Sequence, residues 1–86
     1  MQELKHSLFD LLVLSLGNAT LIALGLVAEP ETKLVKKDFQ AAEYNIELLE
    51  MLKQKTKGNL STTESEMLSG LIYDLQLKFV EAKKHS

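Results

Sequence analysis

Apolar positions are spaced in two different ways along this chain. From Leu11 to Ala28 the sequence LLVLSLGNATLIALGLVA carries no charge over eighteen residues. Beyond Asp38, apolar residues recur instead at helical spacing between charged ones. At about 100° per residue, the large side chains of the first run fall almost all the way round a helix, from Leu11 and Ile22 through Leu12, Leu16 and Val27 to Leu14 and Leu21. A helix apolar on every side must be covered on every side. Leu4, Leu8, Leu11, Ser15, Ile22 and Leu26 form one seam along it. Ser15, Ala19 and Ala23 add a stripe of small residues where a second helix can approach closely. Pro30 restricts Glu29 away from helical geometry, so the pattern predicts a first helix over 3–28.

The following ten residues are long for a helix connection, although Leu34 and Val35 could tuck against the bundle. Asp38 then reads as an N-cap for a second helix over 39–57. Its seam is Phe39, Ala42, Ile46 and Leu49, widened by Leu48 and Leu52. Lys53, Lys55 and Lys57 suit the negative end of the helix dipole, and Gly58 supplies a residue free to turn left-handed. Ser61 and Glu64 match a capping box, opening a third helix over 62–83 with a stripe of Leu68, Leu71, Ile72, Leu75 and Phe79. So short a link between the second and third helices predicts an antiparallel hairpin.

Eighty-six residues allow one domain, 1–86. With 45% hydrophobic but only 6% aromatic residues, the core must be aliphatic, which suits an all-α bundle. Twelve acidic and ten basic residues leave a net charge of −2, and no interleaved basic and aromatic patch occurs, so nucleic-acid binding is not expected. Every basic residue is Lys, so no guanidinium is present for bidentate recognition of phosphate or guanine. The absence of Cys removes disulfides, thiolate nucleophiles and Cys-ligated metal, and is compatible with a cytoplasmic location.

Catalytic chemistry is equally sparse. His6 and His85 stand near opposite ends, so neither a Ser-His triad nor a Glu-x-x-His metal site assembles within one chain. Glu43, Glu47 and Glu50 share a helix face, which reads as a solvated surface before a carboxylate metal site. Lys55-Thr56-Lys57-Gly58-Asn59 has the wrong glycine spacing for a phosphate loop and follows a helix instead of preceding one. It reads as a helix stop, with a lysine contact site as the alternative. No enzyme activity, cofactor or metal is expected.

The first run therefore carries the functional reading. A membrane span needs about 20 apolar residues, and Gly17 and Asn18 interrupt the centre of this one. Glu3 and Asp10 spoil a secretory signal. Burial against other copies is the favoured alternative, through an interface of Leu11, Ser15, Asn18, Ala19, Ile22 and Leu26. Asn18 either satisfies itself locally or pairs with its symmetry mate to set register.

The stretches Leu49-Glu50-Met51-Leu52-Lys53-Gln54-Lys55-Thr56-Lys57-Gly58-Asn59-Leu60-Ser61 and Leu71-Ile72-Tyr73-Asp74-Leu75-Gln76-Leu77-Lys78-Phe79-Val80 resemble a small bacterial family catalogued only as a domain of unknown function, number eighteen forty-four. Ala23-Leu24-Gly25-Leu26 ahead of Pro30 is similar to that family's first helix and turn. The resemblance implies a cytoplasmic bacterial protein and supplies no activity. Two positions depart from it: Glu47 stands where the family tends to carry Asp, and Gln76 where it tends to carry Arg. If those residues pair in the family, that ion pair is lost here. The expectation is a three-helix bundle with a C-terminal hairpin, completed by oligomerisation to a dimer or tetramer, with an unknown protein partner. The alternative is a membrane-associated accessory protein anchored by 11–28.

Overall fold

Each helix begins where a side chain can satisfy the amides that a first turn leaves without carbonyl partners. The computed structural model describes residues 7–85. Among them lie α1 (Leu8–Ala23), α2 (Phe39–Lys55) and α3 (Thr62–Lys84), and no strand. Ser7 caps α1 in a reciprocal box with Asp10: its Oγ accepts from the Asp10 amide at 3.1 Å, and its own amide donates to Asp10 Oδ2 at 3.4 Å. Asp38 caps α2 through the Ala41 amide at 3.1 Å. Ser61 and Glu64 form the expected box on α3, at 3.1 Å and 3.0 Å.

The second and third helices fall within two residues of their predicted bounds, but the first does not. The part predicted over 3–6 lies outside the described residues. At its other end α1 stops at Ala23, five residues before Ala28. Gly25, not Pro30, ends it. Gly25 has φ +79°, its amide donates to the Ile22 carbonyl at 3.0 Å, and the Leu26 amide reaches back to the Leu21 carbonyl at 3.0 Å. These two bonds around a left-handed glycine make a Schellman motif, which satisfies the last carbonyls and turns the chain out of the helix. Pro30 falls later, inside a loop closed by the Glu29 amide on the Leu34 carbonyl and the Lys33 amide on the Glu29 carbonyl. That closure points Leu34 and Val35 outward, at 61% and 62% exposed, so they do not tuck against the bundle. The loop ends where the Asp38 amide bonds the Ala23 carbonyl at 2.7 Å, pinning the start of α2 to the end of α1.

The core is assembled from one stripe per helix. Val13 of α1, Ile46 and Leu49 of α2, and Leu68, Ile72 and Leu75 of α3 are buried together. A second cluster at the far end joins Ala23, Leu24 and Ala42, with Phe39 and Phe79 packed beside it. The two phenyl rings meet edge to face at 6.0 Å, and the Lys83 ammonium lies over both. Thr20 is buried in α1 without cost to the core, because its hydroxyl donates to the Leu16 carbonyl at 2.7 Å. Gly17 lets α1 approach α3 closely: a Cβ there would sit 3.0 Å from Leu71 Cδ2.

Candidate interaction surface

Placing Val13, Gly17, Thr20 and Ala23 inward decides what α1 shows to solvent. At 100° per residue the opposite side carries Leu8, Leu11, Ser15 and Asn18. Leu8 is 84% exposed, Leu11 51% and Leu12 47%, and Leu14 is exposed on the flank. The six residues expected to form an interface are thus kept out of the core. Leu11, Ser15 and Asn18 are exposed on α1, Ala19 and Ile22 are half-buried, and Leu26 is exposed just after the helix turns away. The Asn18 side chain makes no hydrogen bond among the described residues, where the sequence leaves a local bond and a pairing with its symmetry mate as alternatives.

The face is uneven. Alongside the C-terminal half of α1 runs a groove of about 360 Å³ between α1, α2 and the loop. Ala19, Ala23 and Ala41 floor it, and Lys36 and Lys37 stand on its wall. Exposed Leu26, Val27, Leu34 and Val35 extend the apolar surface beyond the helix. Where exposed apolar side chains such as these adjoin one another, they mark an interaction surface.

At the other end, Gly58, Ser61 and Glu64 take the turn-and-cap roles expected of them. Gly58 has φ +85°, and the Asn59 amide bonds the Thr56 carbonyl at 2.8 Å. A left-handed residue in the third position of such a turn is where glycine costs least. A cavity of about 560 Å³ lies here, over Leu60 and Leu68 and rimmed by Lys53 and Lys57. The Thr56 hydroxyl is turned away to the Leu52 carbonyl at 2.6 Å. Glu64 does something the sequence did not reveal. Its second oxygen, Oε2, accepts from the Ser7 hydroxyl at 2.7 Å, so one carboxylate joins the caps of α1 and α3. That bond, first, and then the Ser61 amide and hydroxyl lower the Glu64 pKa from its ordinary value.

The glutamate face carries no assembled site. Glu43, Glu47 and Glu50 are all exposed, and Glu50 Oε2 accepts from Gln76 Nε2 at 2.5 Å. Gln76 therefore reaches Glu50 and not Glu47. No three His, Cys, Asp or Glu groups gather to hold a metal among the described residues. His85 pairs with Glu81 at 2.9 Å, and His6 lies outside the described residues. No helix among the described residues is long and apolar enough to cross a membrane.

Among the described residues the geometry defines an all-α class, three helices with apolar side chains exposed on α1 and the loop that follows it. The model of the family described as a domain of unknown function (DUF1844) matches residues 6–81, and the chain belongs to that family. No curated protein and no solved structure matches it.

Proposed function

We propose that this protein is a non-catalytic, self-associating helical module of the cytoplasm, working as a dimer or tetramer through a further protein partner. The observation that carries this reading is the outward face of α1, where Leu8, Leu11 and Leu12 stay in solvent after the chain has folded. Covering apolar surface contributes about 25 cal/mol per Å², so a few hundred Å² per subunit outweighs any exposed ion pair. Light scattering over a concentration series tests it. Leu11→Glu puts a charge on this face without touching the core, and is expected to lower the association constant by at least tenfold. A parent protein that stays monomeric without detergent overturns the reading.

The alternative, a membrane-associated accessory protein, is favoured by one observation: Leu26, Val27, Leu34 and Val35 are exposed beside Lys33, Lys36 and Lys37. The α1 helix has 16 residues, about 24 Å at 1.5 Å each, against a hydrocarbon core of about 30 Å. In this reading the segment 11–28 lies along the interface instead of spanning. Co-sedimentation of monomeric protein with anionic vesicles would favour it over self-association.

A further inference from the structure

We propose that two copies pack α1 on α1 in opposite directions, about a two-fold axis near Ser15, with leucines of each N-terminal half lying over alanines of the other's C-terminal half. This rests on the self-association proposed above and adds its geometry. Leu8, Leu12, Ser15, Ala19 and Ala23 succeed one another at steps of four, three, four and four, so they share one stripe of the helix. Along that stripe size changes in one direction. The N-terminal half is a ridge, with Leu8 and Leu12 standing clear of the bundle. The C-terminal half borders the groove of about 360 Å³, lined by Ala19, Ala23 and Ala41 with Ile22 at its side.

Pairing in the same direction sets ridge on ridge and groove on groove. The leucines then hold the N-terminal halves apart while two grooves face each other across a void, and atoms lining a void lose their dispersion partners. Pairing in opposite directions seats each ridge in the other copy's groove, with Ser15 small enough for close approach at the crossing. About a two-fold axis each such contact occurs twice: if one residue meets a second, the second meets the first.

The helix dipoles also favour pairing in opposite directions. Same-direction pairing aligns the two helix dipoles and opposite-direction pairing opposes them, while within each groove Lys36 and Lys37 are offset by Glu29 and Asp38. A standard interface covers about 800 Å² per partner, roughly a seventh of the 5910 Å² surface. A helix about 24 Å long and 10–12 Å wide supplies about a third of that footprint. The loop walling the groove, with exposed Leu34 and Val35, extends the contact along the partner's N-terminal half.

Since the chain has no cysteine, each one introduced is unique. A disulfide needs Cα atoms within about 4.4–6.8 Å. Ser15→Cys is expected to cross-link to itself on mild oxidation. Leu12→Cys and Ala19→Cys are each expected to stay uncross-linked alone but to join when mixed, with at least tenfold more dimer. None of these positions is in the core, and circular dichroism checks that each variant folds. Efficient cross-linking of Leu12→Cys alone and of Ala19→Cys alone means same-direction pairing and overturns the inference while self-association stands. Association by light scattering with no cross-link at any position puts the contact on another face and also overturns it. A monomeric parent removes both this inference and the reading beneath it.

Discussion

The α2–α3 pair and α1 solve the same problem with opposite sequences. Each of the paired helices buries a narrow apolar stripe set among charged positions, although Tyr44 and Met51 of α2 and Tyr73, Leu77 and Val80 of α3 stay exposed. The α1 helix has no such pattern: Val13 and Leu11 are equally apolar, yet Val13 is fully buried and Leu11 half in solvent. What selects the inward face of α1 is size, not polarity. Gly17, Thr20 and Ala23 are small, and they let α1 sit close against Leu71 and Ala42, which sends the larger leucines outward. An amphipathic helix states its partner in its pattern, whereas an apolar one states only that it needs more than one.

The comparison is broken most forcefully by truncating one leucine from each side. Leu49 and Leu68 are fully buried, so Leu49→Ala is expected to cost about 2–5 kcal/mol in urea unfolding. Leu11→Ala is expected to change the stability of the monomer by no more than about 0.5 kcal/mol, as exposed positions do. A large loss from Leu11→Ala that does not depend on protein concentration would put Leu11 in the monomer core, contrary to the structure.

Next in size are the two left-handed glycines, one at the end of α1 and one between α2 and α3. A Cβ at Gly58 meets nothing within 4 Å, so Gly58→Ala carries only the backbone strain of about 1–2 kcal/mol. At Gly25 the same strain is joined by contact with Lys37 Cγ at 2.7 Å. Gly25→Ala is therefore expected to be the worse of the two, unless the lysine side chain swings aside, in which case the losses are equal. Unfolding midpoints decide.

These glycines also show how far the sequence could be read. Gly58 sits between lysines that favour a helix end and a capping box that starts the next helix, so three signals coincide and both helices around it were placed within two residues. Gly25 has no such company. It stands in an apolar run with Pro30 five residues on, so the pattern points to the proline as the stop, although the Schellman bonds need only the glycine. The Ser7–Asp10 box carried a readable signal, Ser-x-x-Asp, hidden by a seam that continued upstream through Leu4. That some face of α1 must stay uncovered follows from one argument, that two helices cannot cover a helix apolar all round, but which face does so depends on the close packing at Gly17. The Ser7–Glu64 and Glu50–Gln76 bonds were out of reach, since each joins residues on different helices by a few tenths of an ångström of fit.

Ser7→Ala tests the bond that ties the two halves of the comparison together. It removes an N-cap and is expected to cost about 0.5–2 kcal/mol. It also removes the first cause of the lowered Glu64 pKa. A carboxylate whose pKa is lowered on folding contributes stability above its unfolded value, here 4.5, and that contribution is lost as pH falls through the folded value. The gap between parent and Ser7→Ala should therefore be widest above pH 4.5 and narrow below it. A gap that stays constant into acid would mean that Ser7 acts only on the α1 amides and that Glu64 is not linked to it.

The smallest effect sharpens the α2–α3 side. Gln76 stands where the family resemblance leads one to expect Arg, and its amide reaches Glu50 across the seam between the helices. A guanidinium in that place faces a carboxylate already at hydrogen-bond range, so Gln76→Arg should restore an ion pair with Glu50 and not with Glu47. Both groups are exposed, which limits the gain to about 0.2–1 kcal/mol and makes it shrink with added salt. The gain should vanish in a Glu50→Gln background and survive in Glu47→Gln, measured as urea midpoints at low and high ionic strength. Survival in both backgrounds would trace it to general charge balance, because a net charge of −2 is relieved by any added cation regardless of where it sits.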